Sequence, residues 1–346
     1  MEIKDLVLQK PRFNTLVNKL RGLKASEHSV IQLKGLTGSA AATFLAPLKN
    51  AVDRIVVFVL NDEEKAGYFY HDLIQIGGEG GVSFFPSGYK RSIKYGQIDS
   101  ANAILRTETL SSIQAIVQNQ HSPSPASDQR LRSALLVVTY PEALAEKVAQ
   151  SEEVKDGIIT LHENEQVDPK FVAEVLFDRG FQRVDYVYEP GQFAVRGSIL
   201  DVFSYSSEYP YRLDFFGNEI DSLRTFEVDS QLSKERLTEV TIAPSFSKDE
   251  VSGISLMEFL PPSAIIACED VQWICERVFQ ITHQELSEQL MVTEEGDMTA
   301  LQKLVDADRF KAELMKFNRI DISNRSTPEN AEAARLLLER QAEGLA

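Results

Sequence analysis

The stretch Lys34-Gly35-Leu36-Thr37-Gly38-Ser39-Ala40-Ala41-Ala42-Thr43 keeps the frame of a phosphate-binding loop but not its reactive groups. Such a loop reads G-x-x-x-x-G-K-[ST]. Its glycines let backbone amides surround phosphates, its lysine reaches the β- and γ-phosphates, and its hydroxyl holds magnesium. Gly35 stands at the first position, but Ala40, Ala41 and Ala42 stand where glycine, lysine and the hydroxyl belong. The segment is either a plain strand-to-helix turn or a phosphate loop that has lost its chemistry. On both readings, nucleotide hydrolysis is not expected here.

Other chemistries have less support. No G-x-S-x-G nucleophile motif occurs, and Cys268 lies beside the apolar run Ala264–Ala267, where packing is its expected role. Cys268 and Cys275 are seven apart, which suits neither a disulfide framework nor a zinc spacing. His28, His71, His121, His162 and His283 are not paired at helical spacing or flanked by ligand-spaced carboxylates, so no metal centre is expected. Asp62-Glu63-Glu64 reads as a helix start, where the backbone dipole favours negative charge.

Arginines make the third candidate. Arg183, Arg196, Arg212 and Arg224 fall in a strand-rich region where residues 181–240 hold six Lys/Arg against eleven Asp/Glu. Each could simply pair with a nearby carboxylate. Each could instead anchor a protein partner, a task suited to the planar, bidentate guanidinium. Read as one strand, Gln192–Phe203 puts Phe193, Val195, Gly197, Ile199, Asp201 and Phe203 on one face. Ala194, Arg196, Ser198, Leu200 and Val202 take the other, so one face packs and the other presents Arg196.

The elements that must position these groups follow from periodicity. Residues 1–30 read as helix interrupted at Pro11, with Phe13, Leu16, Val17 and Leu20 at helical spacing. The runs Ile31–Leu33, Ile55–Leu60, Val82–Phe85 and Leu135–Thr139 read as short buried strands, with helices opening at Asn61 and over Asp99–Val117. His121–Asp128 is a Ser/Pro loop. Strands alternating with helices imply a doubly wound α/β domain. Then Asp168-Pro169 starts a helix to Arg179, and period-two strands follow over Arg183–Glu189, Gln192–Phe203, Tyr211–Phe216 and Glu219–Glu227. This predicts an antiparallel meander. A strand at Ala264–Ala267, with helices at 254–260 and 271–291, restores the α/β pattern. The fold class expected is therefore α/β, a partly parallel sheet split by an inserted β-rich α+β domain. The parts are 1–148, 149–245 and 246–346.

Composition bounds the function. The chain has 346 residues, enough for two or three domains, and its 43% hydrophobic and 25% charged shares are those of a folded soluble protein. No apolar run approaches the roughly 18 residues of a membrane span. Lys4, Lys10, Arg12, Lys19, Arg21 and Lys24 crowd the start without an apolar core, so no secretory signal is read and the cytoplasm is the expected location. The net charge of −16 excludes a whole-surface grip on nucleic acid. Residues 1–60 carry nine Lys/Arg and four Asp/Glu, a net +5, leaving −21 on the rest. The helical pattern still running at Ala346 reads as the edge of a longer chain.

A denser signal lies at residues 188–227, YEPGQFAVRGSILDVFSYSSEYPYRLDFFGNEIDSLRTFE. Pro190-Gly191, Phe193, Arg196-Gly197, Ile199-Leu200-Asp201-Val202-Phe203, Tyr211-Arg212-Leu213-Asp214-Phe215-Phe216-Gly217 and Glu219-Ile220-Asp221-Ser222 carry it. This text resembles the second domain of the bacterial transcription-repair coupling factors (Mfd) and of their relative UvrB, the damage-loading helicase of nucleotide excision repair. The resemblance is dense over about 150–270 and looser over the first 145 residues. UvrB's loop has the form G-x-T-G-x-G-K-T. Gly35, Thr37 and Gly38 match it, and the three alanines replace its end. In the coupling factors the amino-terminal module has likewise lost the nucleotide site.

The resemblance implies a UvrB-like fold and a non-catalytic role, docking the damage-recognition ATPase UvrA onto a stalled-polymerase complex. It implies that Arg196 of the V-R-G element is the main contact, with Arg183, Arg212 and Phe193 beside it. A second arginine expected by the UvrB pattern is Ala194 here. No cofactor is implied for this chain. ATP and magnesium, the motor, and the contacts to RNA polymerase and DNA would belong to the rest of a longer translocase, which this module would also restrain by an intramolecular contact. The alternative reading is a nucleotide- or DNA-binding subdomain of a UvrB-like helicase.

Overall fold

A computed structural model describes residues 3–36, 38–78, 80–88, 100–121, 134–246, 253–285 and 303–322. The expected loop at 122–128 and the helical ends at 286–291 and 323–346 lie outside them. The chain divides into two compact units, one within 1–97, 115–148 and 250–346, the other within 98–114 and 149–249. Among the described residues no helix is long and apolar enough to cross a membrane.

In chain order the strands begin with β1 (Val30–Gln32), β2 (Ile55–Val59), β3 (Val82–Phe84), β4 (Leu135–Thr139), β5 (Ile159–His162), β6 (Gln182–Arg183) and β7 (Gln192–Arg196). They continue with β8 (Ile199–Val202), β9 (Tyr211–Phe216), β10 (Glu219–Phe226), β11 (Ser233–Leu237), β12 (Glu239–Ile242), β13 (Ile265–Cys268) and β14 (Asn318–Asp321).

The first unit is α/β. Its sheet has the order β1-β14-β13-β2-β4-β3, and every pairing is parallel. The central strands β2, β4 and β13 are buried at every residue. That is why their sequences are continuous apolar runs, because both faces are covered. In the sheet, β4 and β3 lie on one side of β2, and β13, β14 and β1 lie on the other. The helix after β2, Glu63–Gly77, begins at Asp62, whose Oδ1 accepts from Lys65 N at 2.8 Å. The acidic run is thus a cap, as its position predicts. Pro11 does not interrupt a helix but opens one, Pro11–Gly22, at the position where its missing N–H costs nothing. β14 carries no hydrophobic strand signal because Ile320 is the one apolar residue of Asn318-Arg319-Ile320-Asp321. Asn318 is nonetheless fully buried, its Oδ1 accepting from Ser29 N and its Nδ2 donating to Lys24 O.

The second unit is β-rich. Its main sheet runs β11-β10-β9-β8-β7-β6, beside a two-stranded β12-β5 ladder. One face, with Phe193, Leu200, Leu213 and Leu223, packs on Val172 and Leu176 of the helix Pro169–Asp178. Residues 100–114 of the helix Ser100–His121 also belong to this unit, whereas the sequence pattern grouped them with the α/β part. Thr107 and Leu110 are buried there, and Phe246 N donates to Thr107 Oγ1. Burial, then the nearby Glu208, raises the Glu108 carboxyl above its usual range.

The meander differs from expectation at two places. The strand read over Arg183–Glu189 is only the two residues of β6, and it pairs with β7 in parallel. The strand read over Gln192–Phe203 is two strands, because Gly197 and Ser198 make a two-residue turn with Gly197 at φ 62°.

Gly191 fixes the junction of β6 and β7. Its O accepts from Gln182 N at 2.7 Å and its N donates to Phe203 O at 2.8 Å. Its φ is +85°, and a Cβ there would meet Tyr205 Oη at 2.6 Å. Gly191→Ala is expected to destabilise the protein by at least about 1–2 kcal/mol through the left-handed backbone alone. Urea unfolding followed by far-UV circular dichroism checks this, and an unchanged midpoint would refute it.

Candidate functional site

The turn at Gly197-Ser198 reverses the face of everything after it. Arg196 pairs with Ile199, Ala194 with Asp201 and Phe193 with Val202. Asp201 therefore shares a face with Arg196, and continuing the register puts Arg212, Arg224 and Arg236 in one row with it across β9, β10 and β11. Phe203 also moves to this face, where it packs with Val187, Ala194 and Phe226. The one-strand reading placed Asp201 and Phe203 opposite Arg196, and the turn is the reason it failed.

Asp201 organises the site. Its side chain is 1% exposed, yet it is a carboxylate. Arg212 answers it with two bonds, Nε to Oδ1 at 2.7 Å and Nη2 to Oδ2 at 2.9 Å. Arg196 donates to the same Oδ2 through Nη2. A buried charge is tolerated only with such pairing. The bond to Asp201 pushes the Arg212 pKa up, against the lowering effect of burial.

Aromatic rings complete the cage. The Arg212 guanidinium lies 4.2 Å from the Phe226 ring centroid, and that of Arg196 lies 4.7 Å from Tyr186. Arg196 Nη1 also donates to Asp185 O at 3.3 Å. Next along the sheet, Arg224 Nη2 donates to Asp214 Oδ2 at 2.7 Å. The face presents guanidiniums held at fixed positions by carboxylates beneath them.

The predicted residues separate by exposure. The Arg196 side chain is 32% exposed and that of Arg212 12%. Arg183 is exposed on the edge strand β6 and, with Val184, Asp185, Tyr186, Val195 and Arg196, lines a groove of about 640 Å³. Phe193 is 1% exposed, in the core beneath the sheet, so it supports β7 and does not reach a partner. Ala194, where the resemblance called for arginine, is equally buried against Phe203 and Phe226, which leave no space for a long side chain. Tyr186, which lines the groove, and Tyr188 are more than half exposed, and neither they nor Asp201 are among the residues expected to contact a partner. A Gly-Ser pair three to four residues before an aspartate, with an arginine on the following strand, is the signal that could have found Asp201.

The glycine turn is separate from this site. Gly35 and Gly38 both take positive φ, and the seven-residue helix Ser39–Leu45 follows. Ala41 and Ala42 are buried at its start, and Ala40 is exposed. Thr37 lies outside the described residues. Among the described residues no group of His, Cys, Asp and Glu is placed to hold a metal ion. Burial pushes the Cys268 thiol up to about 12, which makes it a packing residue.

The two arginines of the cluster are expected to respond differently to truncation. Arg212→Ala leaves Asp201 buried with one partial partner and should cost about 3–5 kcal/mol. Arg196→Ala leaves the bidentate pair intact and should cost about 1 kcal/mol or less. Thermal melts of the two variants check the order, and equal losses would refute the assignment of Arg212 as the principal partner.

Known proteins resemble this chain in the same places. Residues 159–247 match the family model described as the UvrB interaction domain. The chain is 27% identical over 244 residues to the transcription-repair-coupling factor of Bacillus subtilis (strain 168), covering 70% of this chain and 19% of that one. It is 31% identical over 222 residues to that of Myxococcus xanthus, 62% and 17% of the two chains. It is 23% identical over 310 residues to the UvrABC system protein B of Streptococcus suis (strain 98HAH33), 89% and 43%. The chain thus spans about a fifth of the length of the coupling factors it matches and under half of the UvrB relative.

Proposed function

We propose, from the premise that this chain is a UvrB-like module akin to the amino-terminal part of the transcription-repair-coupling factors, that its β-rich unit docks UvrA in transcription-coupled nucleotide excision repair. The observation that carries this reading is the Arg196–Asp201–Arg212 cluster on the sheet face opposite the main core, with Arg196 at its rim. A buried carboxylate fixes two guanidiniums before any partner arrives, so little side-chain entropy is lost on docking. Arg196 is the anchor, since a third of it is exposed at the rim of the groove that Arg183 and Tyr186 share. Arg212 positions it, and Arg224 extends the charged row.

The same reading gives the chain no catalytic step. The degenerate phosphate loop lacks lysine and the magnesium-binding hydroxyl, and Ala41 and Ala42 are buried in their place. Contacts to RNA polymerase and DNA, and the ATP-driven motor, are assigned to other parts of a longer protein.

Binding of UvrA to the immobilised chain tests the proposal. Arg196→Glu is expected to weaken capture by about thirtyfold or more, the loss typical of a central interface arginine. Undiminished capture by that variant, with its far-UV spectrum intact, would overturn the assignment of this face. Calorimetric titration with Mg-ATP is expected to show no binding. Micromolar binding abolished by a Gly38 substitution would favour the nucleotide-using alternative.

A further inference from the structure

The first unit holds its own concavity, about 700 Å³, at the carboxyl ends of β2 and β13. The connections from these neighbours build the sheet outward in opposite directions, and such a crevice is where open parallel sheets bind ligands. Its volume falls in the range of ordinary ligand sites. Its walls do not suit a phosphate. Among the described residues, the turn after β1 contributes Leu36, Gly38, Ser39 and Ala41. Among the described residues, the charged side chains lining the cavity are Asp72, Glu269 and Asp270 against one lysine, Lys65. Lys65 sits 3.7 Å from Asp62, a further carboxylate outside the lining. Asp270 caps the next helix by accepting from Gln272 N and Trp273 N. Glu269 accepts from Asn61 Nδ2 at 3.1 Å, a neutral donor that leaves its charge uncompensated. The cavity is therefore negative.

It is also apolar. Phe58, Phe69, Ala267 and Ile322 form part of its lining, and Tyr68 and Trp273 are 67% and 37% exposed beside it. Carboxylates with exposed aromatic faces are the pairing that guanidinium groups favour, through forked hydrogen bonds and stacking. The cavity is larger than one arginine side chain fills, and its apolar walls need a second, apolar group beside the cation.

We infer that this cavity is a docking pocket for an arginine-bearing peptide segment, with the guanidinium against Glu269 and Asp72 and a neighbouring apolar side chain against Phe58 and Phe69. The inference rests on the reading of Gly35–Ala42 as a turn without phosphate-binding groups, and it is independent of the arginine face in the other unit.

Trp273 is the single tryptophan of the chain, so its emission reports on this cavity directly. The chain is titrated with a blocked hexapeptide of alternating arginine and leucine, with the same peptide carrying glutamate for arginine, and with Mg-ATP, and heats of binding are measured in parallel. The arginine peptide is expected to give a saturable change. The combined variant Asp72→Asn, Glu269→Gln should weaken it about tenfold or more, since each charge-assisted bond is worth well over a neutral one. Both substitutions are isosteric at residues that are not core, and unchanged thermal melting confirms the fold. No change with the arginine peptide, an equal response to the glutamate peptide, or one that the variant does not weaken overturns the inference. Saturation by Mg-ATP overturns both the inference and the vestigial-loop reading beneath it.

Discussion

A carboxylate that cannot reach water, Asp201, sets the terms for the β-rich unit. An ion buried in low dielectric must be paired or it costs several kcal/mol, and the Arg212 guanidinium fork satisfies both its oxygens at once. The pairing ties three strands together, since Arg196 comes from β7, Asp201 from β8 and Arg212 from β9. It also explains the aromatic residues on that face. Tyr186 and Phe226 each lie against one guanidinium, leaving little of either cation free to wander. The hydrophobic core on the other face gives the sheet its stability. The buried acid gives it a fixed pattern of charge.

The net charge takes on a different meaning once the cations are located. The basic excess in residues 1–60 suggests a nucleic-acid surface when read as composition. Several of those cations are instead spent on the backbone. Lys49 is 8% exposed and donates to Gly78 O and Gly80 O. Arg54 donates to Ser263 O and Leu23 O, and Arg21 to Ala51 O. These bonds close loops whose carbonyls have no strand or helix partner. A cation committed to carbonyls is a poor phosphate ligand, so Arg21, Lys49 and Arg54 serve the architecture of the chain's positive start.

Much of this was legible in the residues alone. The apolar runs at β2, β4 and β13 announced a covered parallel sheet, because a strand buried on both faces has no reason to alternate. The caps at Asp62 and Asp168 were also plain. Three things were not. β14 is held by a buried asparagine, and polarity hid it from any hydrophobic pattern. β6 is too short for a period-two signal and joins its neighbour in parallel. Above all, a Gly-Ser pair inside an apparently continuous strand looks like a weak spot, and only the register shows it to be a hairpin. That single turn decides which aromatic residues stand with the arginines, and it is why the faces expected of one continuous strand are wrong after Gly197.

The order of pairing in the α/β sheet bears on how the chain is made. Val56 of β2 lies beside Ile265 of β13, and roughly two hundred residues must be synthesised between them. At about 5–20 residues per second, β2 waits on the order of 10–40 s with one hydrogen-bonding edge unpaired. All the strands of the β-rich unit have left the ribosome before β13 does. The discontinuous unit is thus born with an open apolar edge at β2, while β1 waits longer still for β14, and such edges are where a nascent chain of this design needs a chaperone or a fast downstream strand.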